Sequence, residues 1–290
     1  MRPEPLVQSR QLGDWRIHAI QAGGLKLDGG AMFGVVPKTL WSRRLLADDR
    51  NRIQFGMRCL LVEHPAALVL IDTGIGNKEN DKFIEIYGVE NEGDPGATSL
   101  EDGLRAVGAE PGDVDLVISS HLHFDHAGGN TTRRADGTVG PTFPNARYVV
   151  QRGEFEFATH TNERTAASYF PHNYVPLAEA GLIDFIDGEC EILPGISAMP
   201  TPGHTPYHQS LLLESGGERA CFIADLAPTS AHLPLPYIMG YDVEPLVTLE
   251  TKRRVLARAH TEGWLVIFEH DATVPWGTVE HDGKMYVLGH

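Results

Sequence analysis

The chain has 290 residues, of which 42% are hydrophobic and 22% charged, a balance that supports a sizeable buried core and excludes a largely disordered protein. Its 24 Lys and Arg stand against 39 Asp and Glu, a formal net charge of −15, so the average surface repels a phosphate backbone and nucleic acid is a poor partner. No apolar run reaches the length of a membrane span or a secretory leader, which predicts a cytoplasmic protein with no membrane partner. The three widely spaced cysteines, Cys59, Cys190 and Cys221, read as free thiols.

In chain order, the first predicted strand covers 15–20. It is followed by an irregular, glycine-rich segment, 28–44, that mixes Met32, Phe33, Val35, Val36 and Trp41. Strands at 58–63 and 67–71 lead to Asp72-Thr73-Gly74. Ser99, with Asp102 three residues on, is expected to cap a helix whose Leu100, Leu104 and Val107 share one face. Strands at 116–119, 146–150, 183–186, 196–199, 210–214 and 220–224 come next, then a second irregular segment, 228–241, rich in proline and aromatics. An amphipathic helix over 244–262 has Pro245 near its first turn, and a last strand covers 265–268. Length and pattern together predict one domain over 1–290, with two sheets between helix layers and chemistry collected in loops at one edge. The segments 28–44 and 228–241 are each a candidate lid, substrate wall or subunit contact.

The chemistry concentrates in Ser119-Ser120-His121-Leu122-His123-Phe124-Asp125-His126-Ala127-Gly128-Gly129-Asn130, directly after the apolar run 116–118. His121 and His123, two apart in extended chain, point the same way and can grip one ion, while Asp125 and His126 enter the following turn and can face a second. The two glycines let the backbone pass close to the site and start a helix. His204, Asp225 and His270 each stand just beyond an apolar run. A carboxylate such as Asp225 can bridge two cations, so the set has the inventory of a paired site. Of 14 histidines these five are singled out; the others, His160, His172, His208 and His232 among them, read as solvated or satisfied within the core.

The pattern His121-x-His123-x-Asp125-His126, with the later His204, Asp225 and His270, resembles the metallo-β-lactamase superfamily. The resemblance implies a four-layer αββα sandwich. It also implies two divalent cations, zinc first and manganese, iron or cobalt as other choices, with His121, His123 and His204 around one and Asp125, His126 and His270 around the other. Asp225 and a nucleophilic hydroxide would bridge them, and Asp125 would return a proton to the leaving group. Asp72 matches an early Asp-Thr-Gly turn whose aspartate supports the metal loop without ligating.

The stretch from Gly203 to Ser210 and the approach through 28–37 look like the branch that contains N-acyl homoserine lactonases and methyl parathion hydrolases. Those lactonases commonly place a tyrosine three residues after the bridging aspartate; here that position is Pro228, which leaves Tyr207, Tyr237 and Tyr241 as candidates for its role. Met32, Phe33 and Trp41 are expected either to form an apolar substrate wall or to pack between subunits of a homodimer. A lactone is the first substrate class and an aryl ester or phosphotriester the second. A thioester hydrolase and a diiron oxidoreductase are the rival readings.

Overall fold

The computed structural model describes residues 6–94 and 98–289, so the start of the chain, Met1 to Pro5, where a leader would begin, lies outside the described residues. The chain divides into two compact units, one of residues 1–24 and 57–188, the other of 25–56 and 189–290.

The first unit is built on a seven-stranded sheet. Its strands are β1 (Val7–Leu12), β2 (Trp15–Asp28), β3 (Arg52–His64), β4 (Ala67–Ile71), β5 (Leu116–Ile118), then, beyond a small hairpin of β6 (Thr131–Arg133) and β7 (Val139–Pro141), β8 (Arg147–Gln151) and β9 (Ile183–Ile186). The sheet order is β1-β2-β3-β4-β5-β8-β9. β1 pairs antiparallel with β2 and β3 with β4, whereas β4, β5, β8 and β9 run parallel. Parallel neighbours need long crossovers, and the helices Ser99–Ala106, Arg152–Thr159 and Val175–Glu179 lie in them. Their apolar faces share one core with the sheet, including Leu61, Leu70, Leu104, Val117, Tyr148 and Leu177. The carboxyl ends of three adjacent parallel strands, β4, β5 and β8, lead into the loops that begin at Asp72 and Ser119 and into the helix that begins at Arg152. Crevices at such strand ends are where open α/β sheets bind ligands.

The second unit carries a six-stranded sheet of β10 (Cys190–Leu193), β11 (Ile196–Pro200), β12 (Gln209–Ser215), β13 (Glu218–Phe222), β14 (Leu265–Ile267) and β15 (Trp276–Gly277), in that order. Only the β13–β14 pair is parallel among these. The helix Pro245–Glu262 makes that crossover and buries Val255, Leu256 and Ala259 against Cys221, Ile223, Val266 and Phe268. Its expected limits hold, with Pro245 at the first turn and Gly263 ending it in the left-handed region at φ 68°.

Several expectations change in detail. The cap of the helix at 99 is Thr98, whose side chain accepts from the Glu101 N–H while Glu101 reaches back to the Thr98 N–H; Ser99 is the first helical residue and is buried. The Gly128-Gly129 pair starts no α-helix, only a single 3-10 turn. The helical turn Phe124–Ala127 precedes it, and the glycines form a 3-10 turn with Asn130. The segment 28–44 contains two short helices, Gly29–Phe33 and Lys38–Trp41, and buries Met32, Phe33, Val36 and Trp41 while Val35 and Leu40 stay exposed. The three cysteines stand outside any disulfide, Cys59 and Cys221 buried and Cys190 half-buried. Among the described residues no helix is long and apolar enough to cross a membrane.

Candidate metal centre

In the first unit the ligand loop hangs from Asp72, at the end of β4. This non-glycine residue has φ 53°, a left-handed conformation that persists only where its surroundings demand it. Its carboxylate accepts the Ser120 N–H at 2.7 Å, the Ser120 hydroxyl at 2.6 Å and His126 Nδ1 at 3.1 Å. With its own proton given to Asp72, Ser120 Oγ is left to accept His121 Nδ1 at 3.0 Å. Both imidazoles therefore carry their proton on Nδ1 and turn the lone pair of Nε2 to the other side, the tautomer a metal-ligating histidine needs.

The rings of His121 and His126 lie 3.9 Å apart and those of His121 and His123 4.5 Å apart. His121 and His123 offer ligand nitrogens within 4.8 Å of one another, as Asp125 and His126 offer an oxygen and a nitrogen. The loop is clamped from behind by the Thr73 N–H to the His126 carbonyl at 2.7 Å. A Cβ on Gly129 would stand 2.1 Å from the Thr73 carbonyl oxygen, so glycine is required there by close approach. Buried Lys78 donates to the carbonyls of Gly128 and Thr131, fixing the far end of the loop.

The second unit holds a set of its own. Asp225 follows β13 through Ala224, which is also left-handed at φ 45°. One carboxylate oxygen of Asp225 lies 3.0 Å from His204 Nε2 and the other 3.2 Å from His270 Nε2. The Nδ1 of each ring is tied elsewhere, His204 to Asp242 at 2.9 Å and His270 to the Gly56 carbonyl at 2.8 Å. His208, placed among the core histidines, is buried and accepts the Asp225 N–H at Nε2, 3.2 Å away, so it shapes this set without entering it. Burial disfavours a charged His204, yet Asp225 and Asp242 outweigh it and raise the pKa to about 10. The same two carboxylates that favour a proton here would attract a cation, with which the proton competes. Hard and borderline donors, imidazole and carboxylate with no thiolate, fit zinc and its first-row neighbours.

The proposed substrate residues fare differently. Phe33 stacks on Trp41 at 5.4 Å and on His232 at 4.4 Å, and Tyr237 meets it edge-on at 5.8 Å, so Met32, Phe33 and Trp41 are buried in the packing of their segment, where a substrate wall or a subunit contact was expected. Burial holds His232 neutral, its pKa down at about 3. Tyr207 is 48% exposed. Pro228 contributes its carbonyl to the His270 N–H at 2.9 Å.

Sequence reasoning missed Asp242, and it missed Glu154 and Tyr169 behind His123. It also missed an aromatic cluster beside the ligand loop, in which Phe83 and Tyr87 of the helix Asp81–Tyr87 pack on Phe124 and Phe124 stacks on Phe170. Phe124 stands inside the metal motif and was the one available signal. Burial and the nearby Asp125 raise the pKa of Tyr87, keeping its phenol protonated.

A family model described as the metallo-beta-lactamase superfamily matches residues 57–270. An N-acyl homoserine lactonase from a Bacillus sp. is 34% identical over 222 residues, covering 73% of this chain and 80% of the relative. A probable metal-dependent hydrolase from Staphylococcus aureus aligns with a TM-score of 0.87 at 30% identity, covering 97% of this chain and 99% of that one. A dizinc quorum-quenching lactonase, AidC, in complex with a product N-hexanoyl-L-homoserine, aligns at a TM-score of 0.80 and 18% identity over 98% of this chain and 96% of that one, a likeness of fold.

Proposed function

The chain belongs to the metallo-β-lactamase superfamily of hydrolases, and we propose that it is a dinuclear enzyme that opens lactone rings of the N-acyl homoserine lactone type. The observation that carries this reading is the Asp225 carboxylate, with one oxygen toward the Nε2 of His204 and the other toward the Nε2 of His270. That is the disposition of a bridging ligand. We assign His121, His123 and His204 to one divalent cation and Asp125, His126 and His270 to the other, with Asp225 shared and zinc the preferred metal. When bound, such a pair supplies Lewis acidity, lowering the pKa of a coordinated water toward neutrality and polarising a carbonyl.

The chain's own groups do the rest. We assign to Asp125, on the first turn of its short helix, the proton transfer: it would take a proton from the attacking water and return it to the departing alkoxide. Phe83, Tyr87, Phe124 and Phe170 offer an apolar face beside it for the acyl chain, with the Tyr87 phenol as a neutral donor. The substrate is a small molecule, and the similarity to a named N-acyl homoserine lactonase supports the choice of ring.

The test is turnover of acyl homoserine lactones, simple lactones, aryl esters, a paraoxon-type triester and a glutathione thioester by protein loaded with a known metal. Lactones are expected to lead. Triester turnover without lactone turnover would transfer the assignment to phosphotriester hydrolysis.

A further inference from the structure

The ligand loop has a second carboxylate behind it. Glu154, in the helix that follows β8, is 1% exposed. Its Oε1 accepts the N–H of Leu122, the residue between His121 and His123, at 3.1 Å, and the same oxygen accepts the Tyr169 hydroxyl at 2.8 Å. The Tyr169 ring stands edge-on to His123, 4.6 Å between centroids at 66°. Its neighbours join the same brace: the Ser168 carbonyl accepts the Phe124 N–H at 2.9 Å, and Phe170 stacks on Phe124.

A carboxylate taken this far out of water is unfavourable unless well bonded, and here its bonds go to the backbone between His121 and His123 and to a ring packed on His123. Asp72 serves the loop differently, reaching His126 directly and His121 through Ser120. We infer that Glu154 and Tyr169 are positioning residues for His123, fixing its pitch through Leu122 N–H and the tyrosine ring. The loop then has two anchors of distinct reach, Asp72 for both cation positions and Glu154 for that of His121 and His123 alone.

This rests on the two-cation reading above, and the test reads metal binding without substrate. Metal-free full-length protein is titrated with Zn²⁺ against a chromophoric chelator and with Co²⁺ by its visible absorption, and the thermal midpoint of the metal-free form is recorded. Wild type is expected to take two equivalents. In Glu154→Leu one of them weakens by about 10- to 100-fold and the other is unchanged. Glu154→Gln, which keeps an acceptor for Leu122, recovers most of the loss, and Asp72→Asn weakens both. Should Glu154→Leu not fold, Tyr169→Phe carries the test, since it keeps the ring but removes the hydroxyl that fixes it; weakening of the same equivalent is expected.

Wild-type affinities in the Glu154 or Tyr169 variant, or equal loss of both equivalents together with a lowered midpoint, overturn the inference in favour of a general packing role. Fewer than two equivalents in wild type overturns the two-cation reading and this inference with it. Two equivalents without lactone turnover removes only the substrate assignment.

Discussion

Asp242 Oδ1 lies 2.9 Å from the Nδ1 of His204, on the side of the ring opposite Asp225. The carboxylate holds the proton on Nδ1, which fixes the ring's angle and makes Nε2 the ligand atom. Asp242→Ala is expected to lower Zn²⁺ affinity by about 10- to 100-fold, with Asp242→Asn intermediate because an amide oxygen still accepts. Chelator competition measures this, and unaltered affinity in Asp242→Ala would remove Asp242 from the site.

Gly203 meets two separate demands. Its φ is +136°, and a Cβ would lie 2.4 Å from the Thr248 backbone nitrogen and 2.5 Å from its Cα, in the first turns of the long helix. Gly203→Ala is therefore expected to cost about 2–4 kcal/mol and to displace His204 next to it. Gly217, at φ +82° with nothing within 4 Å of its Cβ position, is the control: Gly217→Ala meets backbone strain alone and costs about 1 kcal/mol. Urea unfolding of the two variants separates the clash from the strain.

Metal removal should be reversible in its effect. Dialysis against a chelator is expected to abolish lactone turnover with little change in far-ultraviolet circular dichroism, because each ligand set is held by hydrogen bonds within its own unit, Asp72 and Ser120 in one and Asp242 and the Gly56 carbonyl in the other. Zn²⁺ should restore the rate. In Asp225→Ala neither treatment should matter, as the shared ligand is gone. Full turnover in metal-free protein would refute the metal assignment.

What the sequence made legible was whatever is local. The run 116–118 into His121-x-His123-x-Asp125-His126 declares a strand followed by ligands within one turn, and β4 and β9 lie at the predicted limits, since their apolar residues are bounded by turn formers. The hydrogen-bond partners of the ligands were not legible. Asp242 is 38 residues from His204, and Glu154 is 32 from Leu122, and neither belongs to a short motif. The packing of 28–44 was illegible for a related reason: composition marks Phe33 and Trp41 as apolar, but only the fold shows that His232 and Tyr237, far along the chain, pack on Phe33. The short edge strands, such as β1 with its exposed Ser9, Arg10 and Gln11, lack the alternating apolar pattern that identifies a half-buried strand.

Lys252 gives a pH dependence whose sign is fixed. It is fully buried on the long helix, and its amino group donates to the carbonyls of Pro234 at 3.0 Å and Tyr237 at 2.8 Å. Burial pushes its pKa down to about 7, with Asp242 opposing, against 10.5 for a free lysine. Between these values the unfolded chain holds more protons than the folded one, so this residue makes stability rise with pH from about 7 toward 10.5, by up to about 1.4 kcal/mol per unit. Below 7 both states are protonated and the full cost of the buried charge is present. Lys252→Met removes the titration and leaves two carbonyls without their donor, a cost of about 1–3 kcal/mol that does not vary with pH. The difference in urea midpoint between wild type and Lys252→Met should therefore shift in favour of wild type at each step from pH 7 to 10, while every other titrating group cancels between them. Parallel midpoints across that range would show that Lys252 keeps an ordinary pKa and that its two carbonyl partners, with Asp242, fully offset its burial.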